Sequence, residues 1–202
     1  MNRLEGFLAR RETVLGGGLI ALYLAVYTTL AILRHRSFHS FGFDLALFDQ
    51  VFWNTVNGRP FESSISLADP RLHSYLGDHF SPVYGLLAPL YAAYPHPETL
   101  IVIHTFFVAP APLPFYLLAR EKLAPGLPRL AWVAVYFLFL PVAFITLVDF
   151  HDVALSVLPL ALALYFLEIV RHPPCLSCPP FPFLSRGWHP LLGTALGTVG
   201  VW

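Results

Sequence analysis

Charge is scarce in this chain. Aspartate, glutamate, lysine and arginine make up 12% of its 202 residues, against about 25% in an ordinary soluble domain. The formal net charge is zero. Such a chain has no excess of positive charge to offer phosphates, which excludes nucleic acid as a partner. Cysteine is scarcer still, with only Cys175 and Cys178 in one Cys-x-x-Cys. A single pair supplies half of a four-ligand zinc site. No βαβ context for a thioredoxin-like motif surrounds it, so the pair reads as incidental. The start of the chain does not read as a cleaved leader either. Arg3, Arg10 and Arg11 precede the first apolar run, but that run exceeds the roughly 7–15 residues of a signal h-region. No small-residue cleavage site follows it, so it reads as a retained first span.

What the chain has is apolar length. It is 56% hydrophobic, with a mean hydropathy of +0.64. The runs 14–33, 130–148 and 153–167 carry no charge, and 98–119 is charged only at its first residue. A helix crosses the hydrocarbon core in about 20 residues. The pattern predicts an all-α integral membrane protein with about four transmembrane helices, at 13–33, 98–119, 130–148 and 153–170. Gly16-Gly17-Gly18 either weakens the start of the first span or lets another helix come close. Pro110, Pro112 and Pro114 predict a kink in the second. A single span over 130–170 would bury Asp149 and Asp152 in lipid. At roughly 2.5–3.5 kcal/mol for each Asp at a helix centre, a break at 149–152 is cheaper.

Between the first two spans lies a long polar loop. Within it, 45–56 reads as a helix with Asp44 as N-cap and Asn57-Gly58 as its stop. Leu45, Asp49, Phe52 and Val56 share one stripe, so Asp49 sits on an apolar face. A second short helix, 82–94, starts with Ser81 as N-cap and Pro82 at the first position. It is too short to span and reads as interfacial or re-entrant. These are two juxtamembrane helices in the first external loop. Residues 1–172 form the multipass domain, and 173–202 form a Pro/Cys-rich tail that reads as truncated. Its last stretch, 189–202, resembles the start of a fifth span that is not completed.

Basic residues near span ends mark the cytoplasm. Arg3, Arg10 and Arg11, then Arg120, Lys122 and Arg129, then Arg171 fall on one side of a four-span arrangement. This predicts a cytoplasmic N-terminus in the plasma membrane. Arg34, Arg36, Arg59 and Arg71 count against it. The same arrangement gathers three Asp/His clusters outside: Asp44 with Asp49, Asp78-His79, and Asp149-Phe150-His151-Asp152.

Those clusters carry a resemblance. Phe43-Asp44-Leu45-Ala46-Leu47-Phe48-Asp49-Gln50, Gly77-Asp78-His79-Phe80-Ser81-Pro82 and Asp149-Phe150-His151 resemble the membrane family called domain of unknown function 2079, over about 38–170. That family is similar to GT-C glycosyltransferases, which use polyprenyl-phosphate-linked sugar donors and an acid in the first external loop. The resemblance implies catalysis by Asp44 and Asp49. It implies substrate binding by Asp78, His79, Arg59, Arg71, Asp149 and His151, and a divalent metal held by Asp44 and His79. The chain departs from the GT-C pattern in having Leu45 where many members have a second acid.

Structural roles compete for each residue. Asp44 can be a plain N-cap. Asp78-His79 can be a turn, and Asp149 and Asp152 can be solvated hairpin residues. Asp49, on an apolar stripe, requires a buried partner or a site. His104, in mid-span, reads as a helix-contact residue, and His35 with His39 makes a weak metal signal. Two other function classes remain open. One is a transporter component, suggested by Pro114, Pro141 and Pro159 within spans. The other is a nonenzymatic membrane protein.

Overall fold

The computed structural model describes residues 3–65 and 73–171. Arg71, the 173–202 tail with Cys175 and Cys178, and the incipient fifth span lie outside the described residues. Eight α-helices account for most of the rest: α1 (Arg3–Arg36), α2 (Gly42–Val56), α3 (Val83–Ala93), α4 (Pro97–Val108), α5 (Pro112–Lys122), α6 (Leu127–Leu138), α7 (Leu140–Leu147) and α8 (Val157–Arg171). Two 3₁₀ turns, Tyr75–Gly77 and Asp152–Ser156, separate them. Three helical stretches are long and apolar enough to cross a membrane, or four if the bent pair α6–α7 is one span. The protein is an all-α integral membrane protein.

The first span is longer than its apolar run, because α1 extends through Arg10 and Arg11 at one end and Arg34 to Arg36 at the other. The glycine run does not end it, and Gly16 alone of the three is buried, against α6. A Cβ on Gly17 or Gly18 would meet nothing within 4 Å, and one on Gly16 would meet Leu130 Cδ2 at 3.8 Å. The helix stops after Arg36 in a Schellman arrangement. His39 N–H donates to the Arg34 carbonyl and Phe38 N–H to that of His35. Phe38 takes the left-handed position, φ 60, that glycine usually fills.

Proline stands where the helical ladder of two other spans is interrupted. In the second span the α ladder breaks over 109–111 between α4 and α5. Pro112 has no N–H for the Val108 carbonyl, and the Tyr136 hydroxyl donates to it instead at 2.9 Å. The stretch expected as one span, 130–148, is two helices, α6 and α7, meeting at 52°. Pro141, which removes a further ladder donor, stands just after the break. Pro159 falls in the first turn of α8, where backbone donors have no intrahelical partner, and it causes no bend.

Helix α1 packs on α6, α4 and α7, and α5 packs on α6 and α8. At the end holding the N-terminus of α1 and the C-terminus of α5, Glu12 ties the bundle. It accepts from Arg129 Nη1 at 2.7 Å and from the Gly126 N–H at 2.6 Å. Arg129 also donates to the Leu123 and Arg120 carbonyls, and Lys122 pairs with Glu168.

At the opposite end, α2 and α3 pack on one another and on α4. Two expected helix starts are displaced. Asp44 is not the N-cap of α2; that position is Phe41, and Asp44 lies in the first turn. The reason is tertiary: the Asp149 carboxylate, from the segment after α7, accepts the Phe41 N–H. Likewise Pro82, not Ser81, occupies the position before α3. The contact between α2 and α3 is aromatic. Phe48, Phe52, Tyr84, Tyr91 and Phe150 are buried, with ring centroids 5.0–6.1 Å apart in mostly edge or tilted pairs. Burying each such ring contributes about 1.5–3 kcal/mol. This core holds the loop helices in place.

Candidate functional site: an acid and histidine cavity at the loop end

The C-terminus of α1, the N-termini of α4 and α8, and the C-terminus of α7 all point to one end of the bundle, where α2 and α3 also lie. A cavity of ≈ 240 Å³ opens there. Its polar lining comes from three separated segments: Asp44 from the first turn of α2, Asp78 and His79 after the 3₁₀ turn Tyr75–Gly77, and His151 with Asp152 after α7. Phe43, Phe48 and Tyr75 supply aromatic wall. Four of the eight expected site residues, Asp44, Asp78, His79 and His151, therefore meet in one place.

The others go elsewhere. Asp49 is five residues from Asp44, roughly 140° around the helix, and its carboxylate accepts a 2.6 Å hydrogen bond from the Tyr91 hydroxyl. The buried partner that its apolar stripe demanded is thus Tyr91. Asp149 is 4% exposed. It takes the Phe41 N–H and pairs with Arg34 Nη1 at 3.3 Å, while Arg34 also lies over the Phe41 ring. This carboxylate latches α1, α2 and the 148–152 segment together. Arg59 pairs with Glu62 at 3.5 Å and does not line the cavity. Arg71 lies outside the described residues.

Asp152 is the cavity residue that sequence reasoning set aside as a solvated hairpin acid. It accepts from His151 Nδ1 at 3.0 Å. The signal was present, since a carboxylate adjacent to histidine in the same four-residue block can orient the ring. Tyr75, also in the lining, is 3% exposed, and burial pushes its phenol up to about 12. Burial also raises Tyr84, whose hydroxyl lies near Tyr75 and Ser81 without closing a hydrogen bond. Tyr91 is raised first by burial and then by its bond to Asp49. All three phenols stay protonated at neutral pH, so each can act there only as a neutral donor or acceptor.

The donor set does not fit a resident metal. Among the described residues, no three His, Cys, Asp or Glu side chains are grouped so that they could hold an ion. Asp44 and His79 share the lining but would supply two ligands.

A second cavity of ≈ 240 Å³ lies beside the first, lined by Ile145, Val148 and Val153 with His104, Asp149 and His151. His151 and Val153 border both. His104 is the helix-contact residue expected. It is 1% exposed, with Nε2 donating to the Ile145 carbonyl at 2.7 Å and Nδ1 accepting the His151 N–H at 3.2 Å.

No curated protein and no solved structure matches the chain. One family model does, over residues 34–172, a stretch that contains α2 to α8 and every described residue of both cavities. The match takes in more than half of the sequence, and the chain belongs to the family described as "Predicted membrane protein (DUF2079)".

Proposed function

We propose that the acid and histidine cavity is the reaction site of a GT-C-like glycosyltransferase that draws its sugar from a polyprenyl-phosphate donor. The observation that carries this reading is the convergence of Asp44, Asp78, His79, His151 and Asp152, from three distant segments, on one cavity. The neighbouring apolar cavity supports it. An amphiphile can place its polar head against the acids and the first part of its chain against Ile145, Val148 and Val153, with His151 at the junction.

In this reading the site faces the outside of the plasma membrane. Arg10, Arg11, Arg120, Lys122 and Arg129 lie toward the opposite end of the bundle, the end that the positive-inside rule assigns to the cytoplasm. The described arginines on the site's own end are matched by acids: Arg34 by Asp149, Arg36 by Glu98 at 2.7 Å, and Arg59 by Glu62. They contribute little net charge to orientation.

Asp44 is the general base. Its carboxylate takes the proton of the acceptor hydroxyl as that oxygen attacks the sugar's anomeric carbon, and the bond from that carbon to the phosphate oxygen breaks. A positioned base accounts for about 10²–10⁴-fold of rate. Asp78 and His79 hold sugar hydroxyls by hydrogen bonding. Asp49 serves structure through Tyr91, and no step is assigned to Arg59 or to a metal. The transporter reading draws on the bent α6–α7 span. Against it, His104, the ionisable group in mid-span, spends both ring nitrogens on backbone groups.

The test uses the full chain in vesicles supplied with a radiolabelled polyprenyl-phosphate hexose. Asp44→Asn is expected to lower sugar transfer by about 10²-fold or more, with membrane insertion and yield unchanged. Transfer retained at the level of the unsubstituted chain overturns the assignment.

A further inference from the structure

We infer that His151 and Asp152 form the acid half of the same site, with His104 as the residue that positions it from within the membrane span. The role assigned to His151 rests on the glycosyl-transfer reading above; the geometry of the group does not.

Four contacts build the group. The His104 Nε2–H donates to the Ile145 carbonyl. Its Nδ1 therefore carries a lone pair, which accepts the His151 backbone N–H. Phe150, fully buried, packs its ring against Phe48, Phe52 and His104. The backbone that presents His151 is thus fixed on both sides. The His151 ring then donates Nδ1–H to Asp152, which leaves Nε2 for the cavity that both residues line. A histidine whose Nδ1 is held by a carboxylate has its tautomer and ring plane set.

Charge gives the group its task. The cavity's lining carries three carboxylates, Asp44, Asp78 and Asp152. A departing phosphate gains negative charge there and needs a cation or a proton nearby. Among the described lining residues, the groups able to supply either at neutral pH are the imidazoles of His79 and His151. His151 alone has a carboxylate on its other nitrogen. In the reaction, the bond between anomeric carbon and phosphate oxygen breaks with its electron pair left on oxygen. His151 Nε2–H gives that oxygen a proton. Asp44 gains the acceptor's proton and releases it to solvent, and solvent returns one proton to His151, so the cycle closes without another reactant.

Two measurements on the full chain in nanodiscs separate this inference from the reading beneath it. The first needs no substrate. In ¹⁵N-histidine spectra, with His151 assigned by its loss in His151→Gln, Nδ1 is expected to be protonated and to shift in Asp152→Asn. A His151 ring whose Nδ1 is unprotonated, or that does not respond to Asp152→Asn, overturns the dyad whether or not the chain transfers sugar. The second is transfer from the same polyprenyl-phosphate hexose. His151→Gly is expected to lose about 10²-fold in kcat with KM within about threefold, and to recover with added imidazole. His104→Leu is expected to lose about tenfold without recovery, because imidazole does not replace a backbone anchor. Asp152→Glu keeps more activity than Asp152→Asn. Full transfer by His151→Gly removes His151 as the acid, and loss in Asp44→Asn alone would leave only the reading above standing.

Discussion

The two ends of the helical bundle solve the same problem differently. Both must manage ionisable groups beside a membrane. At the Glu12 end, acids and bases answer one another directly: Glu12 with Arg129 and Gly126, Lys122 with Glu168, and Arg129 with two carbonyls. Around these pairs Arg10, Arg11, Arg120 and Glu121 stand exposed. At the Asp149 end the pairs form a rim, Arg34 with Asp149 and Arg36 with Glu98. Inside that rim, Asp44, Asp78, His79, His151 and Asp152 face a cavity. The Glu12 end spends Glu12, Arg129, Lys122 and Glu168 on one another. An end that leaves carboxylates and imidazoles facing a cavity keeps groups available for chemistry.

The sharpest way to break the comparison is to remove a rim pair. Asp149→Ala, at a position that is 4% exposed, leaves the Phe41 N–H without its acceptor and Arg34 with the Leu147 carbonyl but no carboxylate. Loss of a partner from such a pair costs about 3 kcal/mol, read as a lower thermal unfolding midpoint of the full chain. Asp149→Asn, which keeps an acceptor oxygen, should lose less. If both variants unfold like the unsubstituted chain, the rim does not hold the loop end.

The closed end allows a matching test. A double-mutant cycle between Glu12→Gln and Arg129→Gln should give a coupling of about 1–3 kcal/mol. A coupling near zero would mean that this end is held by apolar contact alone. Within the loop end, Asp49→Asn and Tyr91→Phe should each cost about 1.5 kcal/mol, the worth of a hydrogen bond to a charged group. Transfer activity should survive both, in contrast to Asp44→Asn, which should move stability by no more than about 0.5 kcal/mol.

Alkali should affect the loop end through its phenols. Tyr75 titrates at about 12 in the folded protein against 10.0 ordinarily. Its protonated form is favoured by folding, so its contribution is complete below pH 10.0 and is withdrawn as pH rises to about 12. Tyrosinate absorbance should show Tyr75 ionising above the ordinary range, and Tyr75→Phe should remove that component. The smallest expected effect is local. Phe38→Gly relieves a left-handed backbone worth roughly 1 kcal/mol, so a slight stabilisation is expected in detergent.

Much of the fold is written in runs and punctuation. Charge-free stretches mark the spans, and the two loop helices stand close to where their periodicity and stop signals put them. The ladder break before Pro112 and the bend before Pro141 follow from the residues themselves, because a missing N–H is a property of proline. Helix ends were harder. Asp44 carries every local mark of an N-cap, yet α2 starts at Gly42, where the Asp149 carboxylate, from more than a hundred residues away, accepts the Phe41 N–H. The site divides in the same way. The residue types in the three clusters announced ionisable chemistry. Which members face a cavity and which serve as latches depends on partners that sequence spacing does not reveal.

The sequence by itself determined the solvent of this protein, the order of its spans and the three places where charge interrupts them. Those follow from transfer free energies and backbone donors that belong to each residue. Only the tertiary structure separated Asp44 and His151, which line the cavity, from Asp49 and Asp149, which Tyr91, Arg34 and the Phe41 N–H hold. A carboxylate's role is set by what stands within about 3 Å of it, and that neighbour comes from another helix.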